Sequence, residues 1–379
     1  MWLDAPREPD APLAGLRVLE LARVLAGPWA GQTLADLGAD VIKVESPDGD
    51  NTRAWGPPYI ERADGTKEAA YYHACNRGKR GLVADFRNAN DLQQVKALAA
   101  GADVLIENFL SGKLARFGLD YASLAAVNPQ LVYCSITGFG QTGPRAAEPG
   151  YDFVIQAMSG FMALTGDPAG EPMKHGLAIS DLFCGLYSTI AIQAALAMRA
   201  RTGKGQYIDM ALFDCSVSLL ANQAMAYFAT GANPPRMGNE HLQVSCYGVF
   251  PVADGEVVLA PGNDGLFRRL LRLLRREDLL EDDRFATNAA RLANRDALRE
   301  VVSAETQAWG REALLKACAQ DGIPAGPINQ LDEVFADSQT QARGMKVELD
   351  AVPGVRSPFV FSGARLALDR ASPRLGGKK

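Results

Sequence analysis

The sequence predicts an α/β protein with a parallel sheet and a second, smaller lobe, on three observations. Short apolar, β-rich runs alternate with helix-patterned stretches through the first half, a Gly/Pro/Asn-rich segment interrupts the chain near residue 230, and a hairpin pattern with charged helices follows it.

The alternation begins with "LRVLELA" (16 to 22) and "DVIKVE" (40 to 45), which bracket "GPWAGQTLADLGA", a short helix ending at Gly38. It continues with "GLVADF" (81 to 86), a helical "NDLQQVKALAAGA", "DVLIEN" (103 to 108), a further helical stretch and "LVYCSI" (131 to 136). Repeated units of this kind imply a parallel sheet with helices on both faces, whose ligands collect beyond the carboxyl ends of the strands. The long apolar segment 178 to 200 is a helix, followed by the Gly-rich turn and strand of "RTGKGQYIDMALFD" (201 to 214). "TGANPPRMGNEH" (230 to 241) then marks a boundary. Beyond it, "YGVFPVADGEVVLAPGN" is a hairpin turning at Ala253-Asp254-Gly255, and "DGLFRRLLRLLRRED" a helix with a solvated arginine face. The tail "SPFVFSGARLALDRASPRLGGKK" reads as a final strand or two and a disordered end.

The 379 residues exceed what one core usually holds, and 22% charged residues with a net charge of -5 give no reason to expect nucleic acid or an anionic membrane as partner. Six scattered cysteines without a CxxC pair read as buried thiols in a reducing compartment, and the acid- and proline-bearing start lacks a signal-peptide pattern, so a cytoplasmic location is expected. No apolar run is uninterrupted enough to predict a membrane span. The GxGxxG fingerprint is missing, which disfavours NAD, and three histidines without HExxH or GxSxG give no support to a metal site or a hydrolase triad.

Asp181 stands at the mouth of the long apolar helix. An aspartate there is usually an N-cap worth about 1 kcal/mol. The alternative is a nucleophile: a carboxylate is expected to be ionised at neutral pH without a partner base, and its attack on an acyl carbon makes an anhydride open to a thiolate. Position alone leaves both readings open.

Six motifs in order add to this: "GLRVLELARVLAGPWAGQTLADLGADVIKVESP" (15 to 47), "NRGKRGLVADFRN" (76 to 88), "ADVLIENF" (102 to 109), "SITGFGQTGP" (135 to 144), "RTGKGQYIDMALFD" (201 to 214) and "DGIPAGPIN" (321 to 329). Together they resemble the class III coenzyme A transferases, the family of formyl-CoA transferase, carnitine CoA-transferase and the α-methylacyl-CoA racemases. The resemblance implies a large Rossmann-like, CoA-binding domain (1 to 229, completed by about 330 to 379), a small inserted α+β domain (230 to 329), and an interlocked-ring homodimer. It implies coenzyme A as co-substrate, with neither metal nor NAD. Asp181 falls at the family's aspartyl-CoA position. Val24 and Leu25 would sit near the thioester, and Asn108, Phe109 and Arg116 would line the CoA site, with Arg116 at its phosphate end. Gly140 is a candidate oxyanion donor.

The racemases keep a histidine where "PGYDF" has Tyr151, a residue whose ordinary pKa of about 10 makes it a poor base, so the transferase is favoured. The rivals are a racemase using another base and a CoA-binding protein without catalysis. Formyl-CoA transferase has a glutamine at Leu25, a lysine at Thr137 and four glycines where "APGND" (260 to 264) stands, which argues against formate and oxalate. The stretch 238 to 264 is more similar to members using succinyl-CoA or glutaryl-CoA, although those carry prolines at Leu242 and Cys246. Arg236 and His241 are candidates to meet a distal carboxylate.

Overall fold

The computed structural model describes residues 2–376, which divide into two compact units. The first holds the chain up to Phe161, Lys174–Asn222 and the chain from Ser338 onward, and the second holds Met162–Met173 and Gln223–Asp337.

The first unit is built on six strands: β1 (Arg17–Glu20), β2 (Asp40–Glu45), β5 (Arg80–Val83), β6 (Val104–Glu107), β7 (Val132–Thr137) and β8 (Gln206–Ala211), with a small hairpin of β3 (Tyr59–Glu61) and β4 (Lys67–Ala69) between β2 and β5. The sheet order is β5-β2-β1-β6-β7-β8, and every pairing is parallel. Alternate residues serve opposite faces. Val18, Val41, Val104, Ile106, Val132 and Cys134 pack with helix α1 (Ala26–Asp36) and the long helix Ile179–Thr202, whereas Leu19, Ile42, Val44, Leu105 and Tyr133 pack with helix Ala89–Ala100. Burial on both faces explains why these strands read as continuous apolar runs. Chain order reverses beside β1, whose neighbours are β2 and β6, so the loops leaving β1 and β6 bound a crevice at the carboxyl edge.

Close approach fixes several small residues. A Cβ on Gly31 of α1 would lie 1.8 Å from Glu20 Oε2, and one on Gly185 of the long helix 2.6 Å from the Ala26 carbonyl. All six cysteines are free and buried.

The tail differs from the sequence expectation. The last strands are β12 (Lys346–Leu349) and β13 (Val352–Val355), ahead of the stretch that reads as strand, and residues 356–376 run without regular structure. Their carbonyls are taken by side chains and amides of the first unit: Arg7 donates to Ala367, Gly78 to Arg370, Arg62 to Ser372 and Arg53 to Pro373. A segment bonded singly at scattered points forms no ladder, and it is held. Residues 377–379, where the end is expected to be disordered, lie outside the described residues.

The second unit packs a three-stranded antiparallel sheet, β9 (Gly248–Val252), β10 (Gly255–Leu259) and β11 (Ala325–Pro327), against helices Asp264–Leu273, Arg295–Thr306 and Arg311–Gln320. Phe250, Val257, Phe267, Leu270, Leu298 and Leu314 form its core. The exposed arginines of the first helix, Arg268, Arg269 and Arg272, lie on its solvated face. Met162–Met173 joins this unit because Arg236 donates to the carbonyls of Asp167 (3.2 Å) and Gly170 (2.6 Å) and Gly238 N donates to Gly166 O.

Candidate active site

A cavity of about 300 Å³ opens in the first unit at the carboxyl edge of the sheet. The loop after β1 supplies Arg23, Val24 and Leu25, the loop after β6 supplies Asn108, Phe109 and Lys113, and the β7 end supplies Thr137 and Gly138. Tyr151 and Asp181 complete the wall.

Asp181 is not the cap of its helix. The N-cap is Ala178, which offers no side-chain acceptor. The first-turn amides of Ser180 (2.8 Å) and Asp181 (3.3 Å) instead donate to Asp152 Oδ1, carried in by helix Asp152–Met158, and Gln156 Nε2 holds the other oxygen of Asp152 at 2.6 Å. The Asp181 side chain is thereby released from capping, and among the described residues no hydrogen bond or ion pair ties its oxygens.

Its ionisation departs from the sequence expectation. Burial first, and the Asp152 carboxylate second, push Asp181 up to about 7, so near neutral pH it is shared between the acid and the carboxylate. Tyr71 lies within electrostatic reach: burial and then the Asp181 charge hold its hydroxyl well above the ordinary range, leaving it a hydrogen-bond donor. Its ring stands edge-on to Trp55, at 5.2 Å.

The structure brings Val24, Leu25, Asn108, Phe109 and Asp181 to one cavity. Arg116 and Gly140 are not among its lining residues. Arg116 is exposed, with its guanidinium 4.6 Å from the Phe117 ring. Gly140 adopts φ 87°, and its N–H already donates to Thr137 Oγ1 at 2.8 Å. The cations that do line the cavity are Arg23, 5.2 Å over the Phe109 ring, and Lys113. Neither has a carboxylate partner among the described residues. Arg23 lies within the quoted first motif and Lys113 shortly after the third; what would have marked them is their place in the loops leaving β1 and β6, at the reversal of strand order.

Glu107, at the end of β6, accepts from Phe109 N at 2.7 Å and so shapes the loop that presents Asn108 and Phe109; burial pushes it up to about 7. Arg236 and His241 belong to the second unit. Arg236 lines a separate cavity there with Asp167, Glu240, Arg295 and Arg299, while His241 Nδ1 accepts from Gln243 N and its ring packs on Tyr247 at 5.3 Å. No cluster of His, Cys, Asp and Glu able to hold a metal ion occurs among the described residues.

Residues 13–379 match CoA-transferase family III. The chain is 55% identical over 372 residues to the succinate–glutarate CoA-transferase of Agrobacterium fabrum, covering 96% of this chain and 93% of that one. It is 38% identical over 374 residues to the human succinyl-CoA:glutarate CoA-transferase, covering 96% and 84%. Among solved structures, a CaiB/BaiF family protein from Brucella suis superposes with a TM-score of 0.88 at 59% identity, over 97% of both chains. The free carboxylate in a cationic cavity at the sheet's carboxyl edge thus stands in a transferase framework, and the chain belongs to CoA-transferase family III.

Proposed function

We propose that this enzyme moves coenzyme A between succinate and glutarate, or closely related dicarboxylates, through an aspartyl-CoA thioester on Asp181. The observation that carries the reading is the Asp181 carboxylate, released from capping by Asp152 and facing the cavity. The named activities of the Agrobacterium and human relatives support the choice of acids.

The Asp181 carboxylate attacks the acyl carbon of the donor thioester and expels the CoA thiolate, leaving a mixed anhydride. The thiolate then attacks the Asp181 carbonyl carbon, expels the donor carboxylate and forms aspartyl-CoA. An acceptor carboxylate attacks that thioester and regenerates the thiolate, which attacks the acceptor's carbonyl and frees Asp181. Thioester energy is conserved throughout, and the route requires neither metal nor NAD. Val24, Leu25, Asn108 and Phe109 line the CoA path, and Arg23 and Lys113 offer charge to phosphate or to a distal carboxylate. Arg116 is assigned by the resemblance alone, Gly140 is a candidate oxyanion donor, and Arg236 and His241 are candidates for a distal carboxylate. Tyr151 at the cavity wall, in the place of the racemase histidine, favours transfer over proton exchange.

Mass spectrometry after mixing with succinyl-CoA, with a sample quenched by hydroxylamine, tests the reading. A CoA adduct or hydroxamate on the Asp181 peptide is expected. Bound acyl-CoA with an unmodified Asp181 and solvent deuterium entering a chiral acyl-CoA points to the racemase instead.

The pH profile follows from the site. Since the nucleophile must be ionised and Asp181 sits near 7, kcat/KM for the acyl-CoA is expected to rise with pH through about 7 and then level. Asp152→Asn removes the like charge and moves that inflection to lower pH. Lys113→Ala is expected to raise KM for acyl-CoA about 5- to 10-fold, with a smaller loss in kcat.

The homodimer with interlocked subunits is likewise proposed. Leu186, Tyr187, Ile190 and Met198 leave an apolar face exposed on the long helix, and Phe153 and Val154 do so on the neighbouring one. That long helix is the one described helix long and apolar enough to cross a membrane by length and composition. A second copy covering the face accounts for it, and light scattering at the dimer mass is expected. A cytoplasmic location fits six free, buried thiols.

A further inference from the structure

Val24, at the cavity wall, adopts φ 71°. A β-branched residue in the left-handed region costs about 1–2 kcal/mol and persists only where its surroundings over-determine it. Here the backbone of three consecutive residues is satisfied by side chains. Lys43 Nζ donates to Ala22 O at 2.9 Å. Asn108 accepts from Arg23 N at 2.9 Å and donates to Arg23 O at 2.7 Å. Asp50 accepts from Val24 N with both oxygens, at 3.3 and 3.2 Å, and the Cys75 thiol donates to Val24 O at 3.4 Å.

Asp50 is the keystone of the set. It is 1% exposed, paired with fully buried Lys43 at 3.0 Å, and it accepts from Thr52 N (3.0 Å) and Thr52 Oγ1 (2.8 Å). Its carboxylate therefore cannot swing away from the Val24 amide. Because Asn51 also lines the cavity, one buried anion fixes two stretches of its wall.

We infer that Asp50, braced by Lys43, is a positioning residue for CoA transfer: by holding Val24 in the left-handed conformation it sets the wall against which the acyl group meets Asp181. The inference rests on the reading of this cavity as the acyl-transfer site. It concerns geometry at the reacting centre more than ground-state affinity, and misplacement of about 1 Å there can lower a rate about 100-fold.

Steady-state transfer from succinyl-CoA to glutarate tests it on the full-length enzyme. Asp50→Ala is expected to lower kcat about 30- to 100-fold while KM for succinyl-CoA changes less than about threefold. Asp50→Asn keeps an acceptor for the Val24 amide and should recover at least a tenfold share of that loss. Val24→Gly in the Asp50→Ala background supplies a residue that visits positive φ freely, and about a fivefold or greater recovery of kcat is expected. Val24→Pro, which locks φ near -65° and leaves the Asp50–Lys43 pair in place, tests the same point if the alanine variant does not fold; it should lose kcat comparably. A folded Asp50→Ala with wild-type kcat, no recovery by glycine, or a Val24→Pro enzyme with wild-type kcat overturns the inference. Absence of a CoA adduct on Asp181 in the wild-type enzyme overturns the covalent route instead, and leaves the kcat comparison standing.

Discussion

Replacing Asp181 with alanine or asparagine is expected to abolish CoA transfer, by a factor of about 10⁴ or more, since among the described residues no other carboxylate lines the cavity to act as nucleophile. Asp181→Glu retains the charge but displaces it by one methylene, and a loss of about 100-fold or more is expected. The two uncharged substitutions should also stabilise the fold. Asp181 is held near 7 in the folded chain against an ordinary 3.8, so the folded state takes up protons more readily than the unfolded one between those values. Its folding penalty is therefore absent in acid, grows as pH rises through that window and is complete above about 7. At pH 8, Asp181→Asn should gain roughly 1–2 kcal/mol, discounted because the side chain faces a water-accessible cavity, and the gain should fade toward pH 4. Acyl transfer followed by chromatography and melting at the two pH values check both halves. An inactive variant with no pH-dependent gain would mean that the carboxylate is solvated in place, and that its nucleophilicity needs no help from rising pH.

The sheet was readable because its physics is one-dimensional. A strand covered on both faces, such as β2 or β6, reads as an apolar run broken only by buried charged groups such as Lys43 and Glu107, and that signal survives in sequence without tertiary knowledge. The tail was misread for the converse reason: "SPFVF" and "RLAL" have strand-like composition, but what holds the tail is a set of arginine side chains distant in sequence. The site shows the same division. Asp181, Val24, Leu25, Asn108 and Phe109 lie in local motifs, whereas the groups that set their behaviour come from elsewhere in the chain. Asp152 lies 29 residues before Asp181, and Asp50 26 residues after Val24. Asp152 stands beside Tyr151, where the missing histidine draws attention to the wrong member of the triplet. The expectation of a simply ionised nucleophile leaves out the penalty for burying a charge, which belongs to the fold and which no local pattern carries.

Under the cavity lies the buried charge cluster on which the framework depends. Glu20 is bound by Lys43 at 3.2 Å and by Lys79 at 2.7 Å, with all three side chains fully buried. Lys79 donates in addition to Pro28 O (2.8 Å) in the first turn of α1 and to Asn76 Oδ1 (2.9 Å), and Lys43 extends the cluster to Asp50. A second lysine beside a single glutamate is an unusual burden, and Asp50 supplies the balancing charge. Removing one member leaves one charge uncompensated in a medium that solvates charge poorly. Lys79→Met, close in length but uncharged, is therefore expected to cost about 3–5 kcal/mol, because it leaves Glu20 with one counter-ion and strips the Pro28 carbonyl and Asn76 of their donor. Relief by expansion is blocked: α1 passes so close that a Cβ on Gly31 would meet Glu20 Oε2. Denaturant unfolding followed by near-ultraviolet dichroism measures the loss. The double variant Glu20→Gln, Lys79→Met distinguishes its origin, since neutralising both partners should restore part of the stability if uncompensated charge is responsible, and none of it if the donors to Pro28 and Asn76 matter more.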